Sequence, residues 1–128
     1  MKVAAILLAA ALAAPGVLAQ APMPRPDEAR SVAPGGAVLR GLDKVAGRAQ
    51  DIALGPGESA NFGRLTITLT ECRQPAGDAG ADAFAHLVIH DSLREREVFR
   101  GWMIASSPAL NALDHPRFDV WLIRCSSV

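Results

Sequence analysis

The sequence predicts an all-β domain, a small antiparallel sandwich or barrel of six or seven strands with one short helix, stapled by a disulfide. Three observations carry that expectation. Arg64–Cys72 (RLTITLTEC) alternates strictly, with Leu65, Ile67 and Leu69 on one face and Thr66, Thr68 and Thr70 on the other, which is the period of a half-buried strand. Apolar runs of strand length recur between Gly-, Pro- and Asp-rich punctuation, with no internal repeat, a pattern of many short strands. The chain also holds two cysteines, Cys72 and Cys125, and an even count reads first as a disulfide where the compartment is oxidising.

The chain opens with MKVAAILLAAALAAPGVLAQA. One Lys, an apolar run and a small-residue exit at Val17-Leu18-Ala19 have the order of a secretory signal peptide, residues 1–19. Pro15-Gly16 interrupt the run too early for a spanning helix, which needs about 20 apolar residues, so no transmembrane segment is expected after signal removal. No cysteine follows the run, which argues against a lipid anchor. Cleavage leaves about 110 residues, one ordinary domain. Residues 20–37 are rich in Pro, Gly and Ala without apolar period. They read as a disordered leader, because such a stretch buries too little surface to offset its ordering entropy. The single β domain is expected over residues 38–128.

Within it, Val38–Leu42 and Val45–Leu54 read as strands, the second bent near Gly47. Gly55-Pro56-Gly57-Glu58 reads as a turn, and Phe62-Gly63 as the lead into Arg64–Cys72. Parity places Cys72 with the threonines of that strand. Either a bulge near Glu71 flips the register or the disulfide lies at the rim of the core. Arg73–Asp82 is a loop by composition. Ala83–Asp91 and Glu97–Ile104 read as a hairpin closed by Ser92–Glu95. Ser106-Ser107-Pro108 has the order of a helix start, hydroxyl cap then proline, and Asp114-His115-Pro116 ends that helix. Phe118–Cys125 is the last strand, apolar on both faces and therefore central or between layers.

Thirteen basic and thirteen acidic residues are interspersed, with no net charge, so no electrostatic footprint for nucleic acid is present. Bridging Cys72 to Cys125 closes a 53-residue loop, a constraint of about 4 kcal/mol in the chain-entropy account. Redox catalysis wants Cys-x-x-Cys or a thiol beside a base, and neither spacing occurs. His86 and His90 lie four residues apart on a strand, about 13 Å between Cα atoms, too far for one metal ion bound at about 2 Å. No metal or cofactor is expected, since Gly55-Pro56-Gly57 is a turn and no glycine-rich phosphate loop exists. Glu95 with Glu97, or Asp114 with Asp119, would be carboxylate pairs for glycoside hydrolysis, but few aromatics surround them. Ser106 or Ser107 with His115 and Asp114 or Asp119 supplies the residue types of a serine hydrolase, though Gly-x-Ser-x-Gly is absent. Trp102 reads either as core or as the wall of a groove roofed by Ser106–His115.

Leu42-Asp43-Lys44, Phe62-Gly63-Arg64-Leu65, Cys72, Phe99–Met103, Ala105–Leu110, His115-Pro116, Asp119-Val120-Trp121 and Cys125 together resemble the domain-of-unknown-function family numbered 2155, over roughly Val38 to Cys125. The resemblance implies an exported alphaproteobacterial protein, two matching cysteines and no established activity. Members of that family often carry Phe at the position of Ile104, Glu at Asp114 and Tyr at Phe118, so a role needing a phenolic hydroxyl at the last position does not carry over. The expected function is a non-enzymatic periplasmic binding or accessory module whose partner is an envelope protein or complex. Its candidate surface is Trp102, Ser106, Ser107, Asp114, His115 and Asp119. The alternatives are a small serine hydrolase and a structural envelope protein.

Overall fold

The structure is a computed structural model that describes residues 35–74 and 82–126. The expected signal peptide, nearly all of the leader and most of the Arg73–Asp82 loop lie outside the described residues. Seven strands form two antiparallel sheets packed as a sandwich. One sheet has the order β2-β1-β7, from Arg48–Leu54, Gly36–Asp43 and Phe118–Ser126. The other has the order β3-β4-β5-β6, from Ser59–Phe62, Leu65–Arg73, Phe84–Asp91 and Arg96–Ile104. Leu39, Leu122, Leu65, Ile67, Leu69, Leu87 and Ile89 fill the space between the sheets and are fully buried.

Several elements differ from their sequence reading, each for a local reason. β3 is a strand where a lead-in was expected. Its four residues are too few to show a period, and it exists because Gly63 and Arg64 turn the chain back onto β4. β1 starts at Gly36, two residues before the expected domain boundary, because Gly36 and Ala37 pair with Ser126 and Cys125. β2 starts at Arg48 rather than Val45. Asp43 Oδ1 accepts the amides of Val45 and Ala46 at 3.0 and 3.1 Å, which closes a turn there and leaves Val45 74% exposed. The expected helix shrinks to a single 3-10 turn, Pro108–Leu110, and Ser107 gives it no side-chain cap.

The parity problem at Cys72 is resolved by bulges on both sheets. Between Leu69 and Glu71 the β4–β5 register slips, leaving Thr70 as the extra residue. The β1–β7 register slips at Val38/Leu39, leaving Ile123 extra. Each bulge lies two residues before a cysteine. Because one added residue flips every later side chain to the opposite face, both cysteines turn inward from strands that would otherwise point them out. Cys72 is 3% exposed and is bonded to Cys125 with a Cα–Cα separation of 5.7 Å.

Candidate functional site

The crossover from β6 to β7 spans residues 105–117 and joins an edge of one sheet to an edge of the other. Three anchors hold it. At its start the Ser106 amide donates to Asp82 Oδ1 at 3.0 Å, and the Ser106 hydroxyl donates to Asp82 Oδ2. In its middle Leu113 is buried in the core, and the Asn111 side chain donates to the Trp102 carbonyl at 2.8 Å. At its end His115 inserts between the sheets, 3% exposed, beside Asp91, which is 0% exposed.

The hydrogen bonds of His115 fix its tautomer. Nδ1 lies 3.0 and 3.2 Å from the amides of Arg117 and Phe118, both donors, so Nδ1 carries the lone pair. The proton therefore sits on Nε2 and is donated to Asp91 Oδ2 at 2.8 Å. The Arg64 Nη2 contact with Nε2 at 3.4 Å then sets donor against donor and is no hydrogen bond. Asp91 also accepts from Arg64 Nε at 3.0 and 3.2 Å and from the amides of Leu93 and Arg94. Burial by itself would raise the Asp91 carboxyl. Those donors, His115 first, outweigh it and hold the group well below the usual carboxylate range. Alongside, Arg117 grips Asp43 with two nitrogens and Lys44 Nζ donates to the His115 carbonyl at 2.9 Å. Arg117, with help from the Ala46 and Val45 amides, lowers Asp43 to about 2.

The sequence-derived surface is therefore split. No hydrogen bond joins Ser106 or Ser107 to His115 among the described residues, because Asp82 holds Ser106 and both ring nitrogens of His115 are committed. Asp114 is exposed and Asp119 meets Lys44 at 3.4 Å. Trp102 is half-buried and stands outside the core. It lies on the outer face of the four-stranded sheet, with the Arg73 guanidinium 4.8 Å over its ring and His86 edge-on at 5.3 Å. A recess lies beside Trp121. Pro108, Ala109, Ala112 and Leu113 form one wall, and Asp119, Val120 and Trp121 the other, around a recess of ≈ 310 Å³. Leu110, 60% exposed, lies on the same turn.

Asp91, Arg64, Asp43 and Arg117 were missed by sequence reasoning, yet one signal was present. Asp91 continues the Ala85-Leu87-Ile89 face of its strand, so a carboxylate stood where parity demanded an inward residue. Among the described residues no group of His, Cys, Asp and Glu is arranged to hold a metal ion, and no helix is long and apolar enough to cross a membrane.

Fold and site define a small disulfide-stapled β-sandwich whose buried polar residues serve packing and whose crossover frames an open recess. The chain belongs to the family described as "Uncharacterized protein conserved in bacteria" (DUF2155), whose signature spans residues 37–125. It is 26% identical over 87 residues to an uncharacterised protein of Rickettsia prowazekii, covering 66% of this chain and 56% of that one. The chain thus spans little more than half of that relative's length. No solved structure matches it.

Proposed function

We propose that this chain is an exported, non-enzymatic binding module of the bacterial cell envelope, and that the recess beside Trp121 seats an apolar side chain of its partner protein. The observation that carries the reading is the recess itself. A half-buried Trp121 on edge strand β7 faces Pro108, Ala109 and Ala112 across ≈ 310 Å³, a size and lining suited to one anchoring side chain. The hydroxyl and imidazole that a hydrolase would use are engaged elsewhere, which supports binding over hydrolysis. The disulfide supports an oxidising compartment.

The test places a photo-crosslinking residue at Ala112, exposed on the wall of the recess, and in parallel at Arg100, exposed on the opposite sheet. Illumination of intact cells followed by fractionation should give one discrete adduct from Ala112 in the envelope fraction. Trp121→Ala should remove that adduct while leaving the amount of folded protein unchanged. Equal labelling from Ala112 and Arg100, or an adduct indifferent to Trp121→Ala, overturns the reading.

A further inference from the structure

β2 carries an observation that the recess beside Trp121 does not explain. Ile52 and Leu54 point into the core, and by strand alternation Arg48 and Gln50 share their face. Both are exposed. The inward face of the three-stranded sheet therefore turns polar before its end and leaves an open recess of ≈ 290 Å³ between the β1–β2 and β3–β4 turns. Its base is formed by Phe62, Gly63 and Phe118, the two rings packed edge to face at 5.6 Å. Gly63 is required there, since a Cβ would stand 2.7 Å from the Phe118 ring.

The charges around this recess do not cancel. Asp43 is saturated by Arg117 and by the Val45 and Ala46 amides, so that pair is locally neutral. Arg48 stands opposite Asp43 in the β1–β2 register but has no hydrogen bond, ion pair or ring contact among the described residues. The Gln50 amide is likewise unengaged, and Arg117 uses only Nε and Nη2 on Asp43, leaving Nη1 as a further donor.

We propose that this recess is a carboxylate-binding site, with Arg48 as the charge partner and Gln50 and Arg117 Nη1 as the additional donors. One uncancelled positive charge matches a single carboxylate, and a guanidinium presents two parallel N–H groups to its two oxygens. A doubly charged phosphate would keep one charge unpaired next to the Asp43 carboxylate. The volume admits a terminal group with its nearest atoms, so the ligand is a small organic acid or the C-terminus of a peptide. The site is separate from the recess beside Trp121 and stands without it.

The experiment is nitrogen-edited NMR of the full oxidised chain, titrated with acetate, inorganic phosphate, and acetyl-trialanine with either a free or an amidated C-terminus. Acetate and the free-acid peptide should shift the Arg48 Nε–H, the Gln50 side-chain amide and the Gly63 amide in a saturable way. The amidated peptide should leave them in place. Peptide binding tighter than acetate assigns the peptide as source, and equal binding assigns the small acid. Arg48→Gln should weaken binding about tenfold or more with the remaining spectrum unchanged, and Arg48→Lys should restore part of it. Phosphate shifting the same resonances as strongly as acetate overturns the carboxylate assignment. Absence of saturable shifts, or binding unchanged in Arg48→Gln, overturns the site.

Discussion

β4 and β7 belong to opposite sheets and are tied to each other at both ends by different chemistry. Where they finish, Cys72 and Cys125 form a covalent bond. Where they begin, at Leu65 and Phe118, the space is held by Asp91, His115, Arg64 and the Asp43–Arg117 pair. The disulfide acts largely on the unfolded chain, by restricting it. The polar end acts on the folded state, where the buried Asp91 and His115 must find partners because neither has water to fall back on. One end should therefore respond to reductant and be indifferent to pH, and the other the reverse.

The largest expected effect is at the covalent end. Replacing both cysteines by Ala, or reducing the bridge, should lower the Tm by on the order of 20 °C, from a loop constraint of about 4 kcal/mol on a domain of this size. Circular dichroism melts with and without reductant check it. The reduced wild-type protein and the double variant should melt together, and a gap between them would mean that the thiols, not the bond, matter.

At the polar end Asp91→Ala removes the partner of both His115 and Arg64 and leaves a buried ring N–H without an acceptor. It should cost on the order of 15 °C in Tm. Asp91→Asn, which still accepts from His115 Nε2, should cost less. Asp91 pairs with Leu65, seven residues before Cys72 on β4, about 23 Å along the strand. Losses at the two ends should therefore add in a combined variant. Strong non-additivity would show that the ends are coupled through the core.

Acid separates the ends further. Asp43 and Asp91 both have folded-state pKa values depressed below the unfolded carboxylate value of about 3.9. Their contribution is fully present above that pH and is lost as pH falls toward the folded value, about 2 for Asp43. The contribution of these two carboxylates to the Tm should hence be constant above about pH 5 and fall below about pH 4. In Asp91→Ala the acid-dependent drop should shrink, whereas in the cysteine-free protein it should keep its full size.

How much of this was legible in the sequence differs between the two ends. The disulfide was readable because composition alone pairs two cysteines, and the strands were readable because Leu65, Ile67 and Leu69 keep their period. What the sequence withheld was the pair of bulges at Thr70 and Ile123, since an inserted residue looks like any other until its neighbour strand is known. The polar end was hidden for a related reason. His115 reads as a catalytic candidate on its own, and becomes a structural wedge only when Asp91, from a hairpin 24 residues earlier, arrives at its Nε2. Trp121 gave no signal of its own, because its place beside the crossover depends on how residues 108–113 fold back toward β7.

The smallest effects test how tightly the polar end is packed. Gly47 and Gly63 both have positive φ, +66° and +57°, but a Cβ at Gly47 would meet nothing within 4 Å. Gly47→Ala therefore carries only the backbone cost, about 1 kcal/mol or roughly 5 °C in Tm. Gly63→Ala carries the same cost and also drives a methyl against the Phe118 ring, which is wedged between Phe62 and His115. Overpacking of that kind adds about 1–3 kcal/mol, so the second variant should melt several degrees below the first. If the two melt alike, Phe118 has room to swing, and the ring is a movable lid on the Arg48 recess rather than its fixed base.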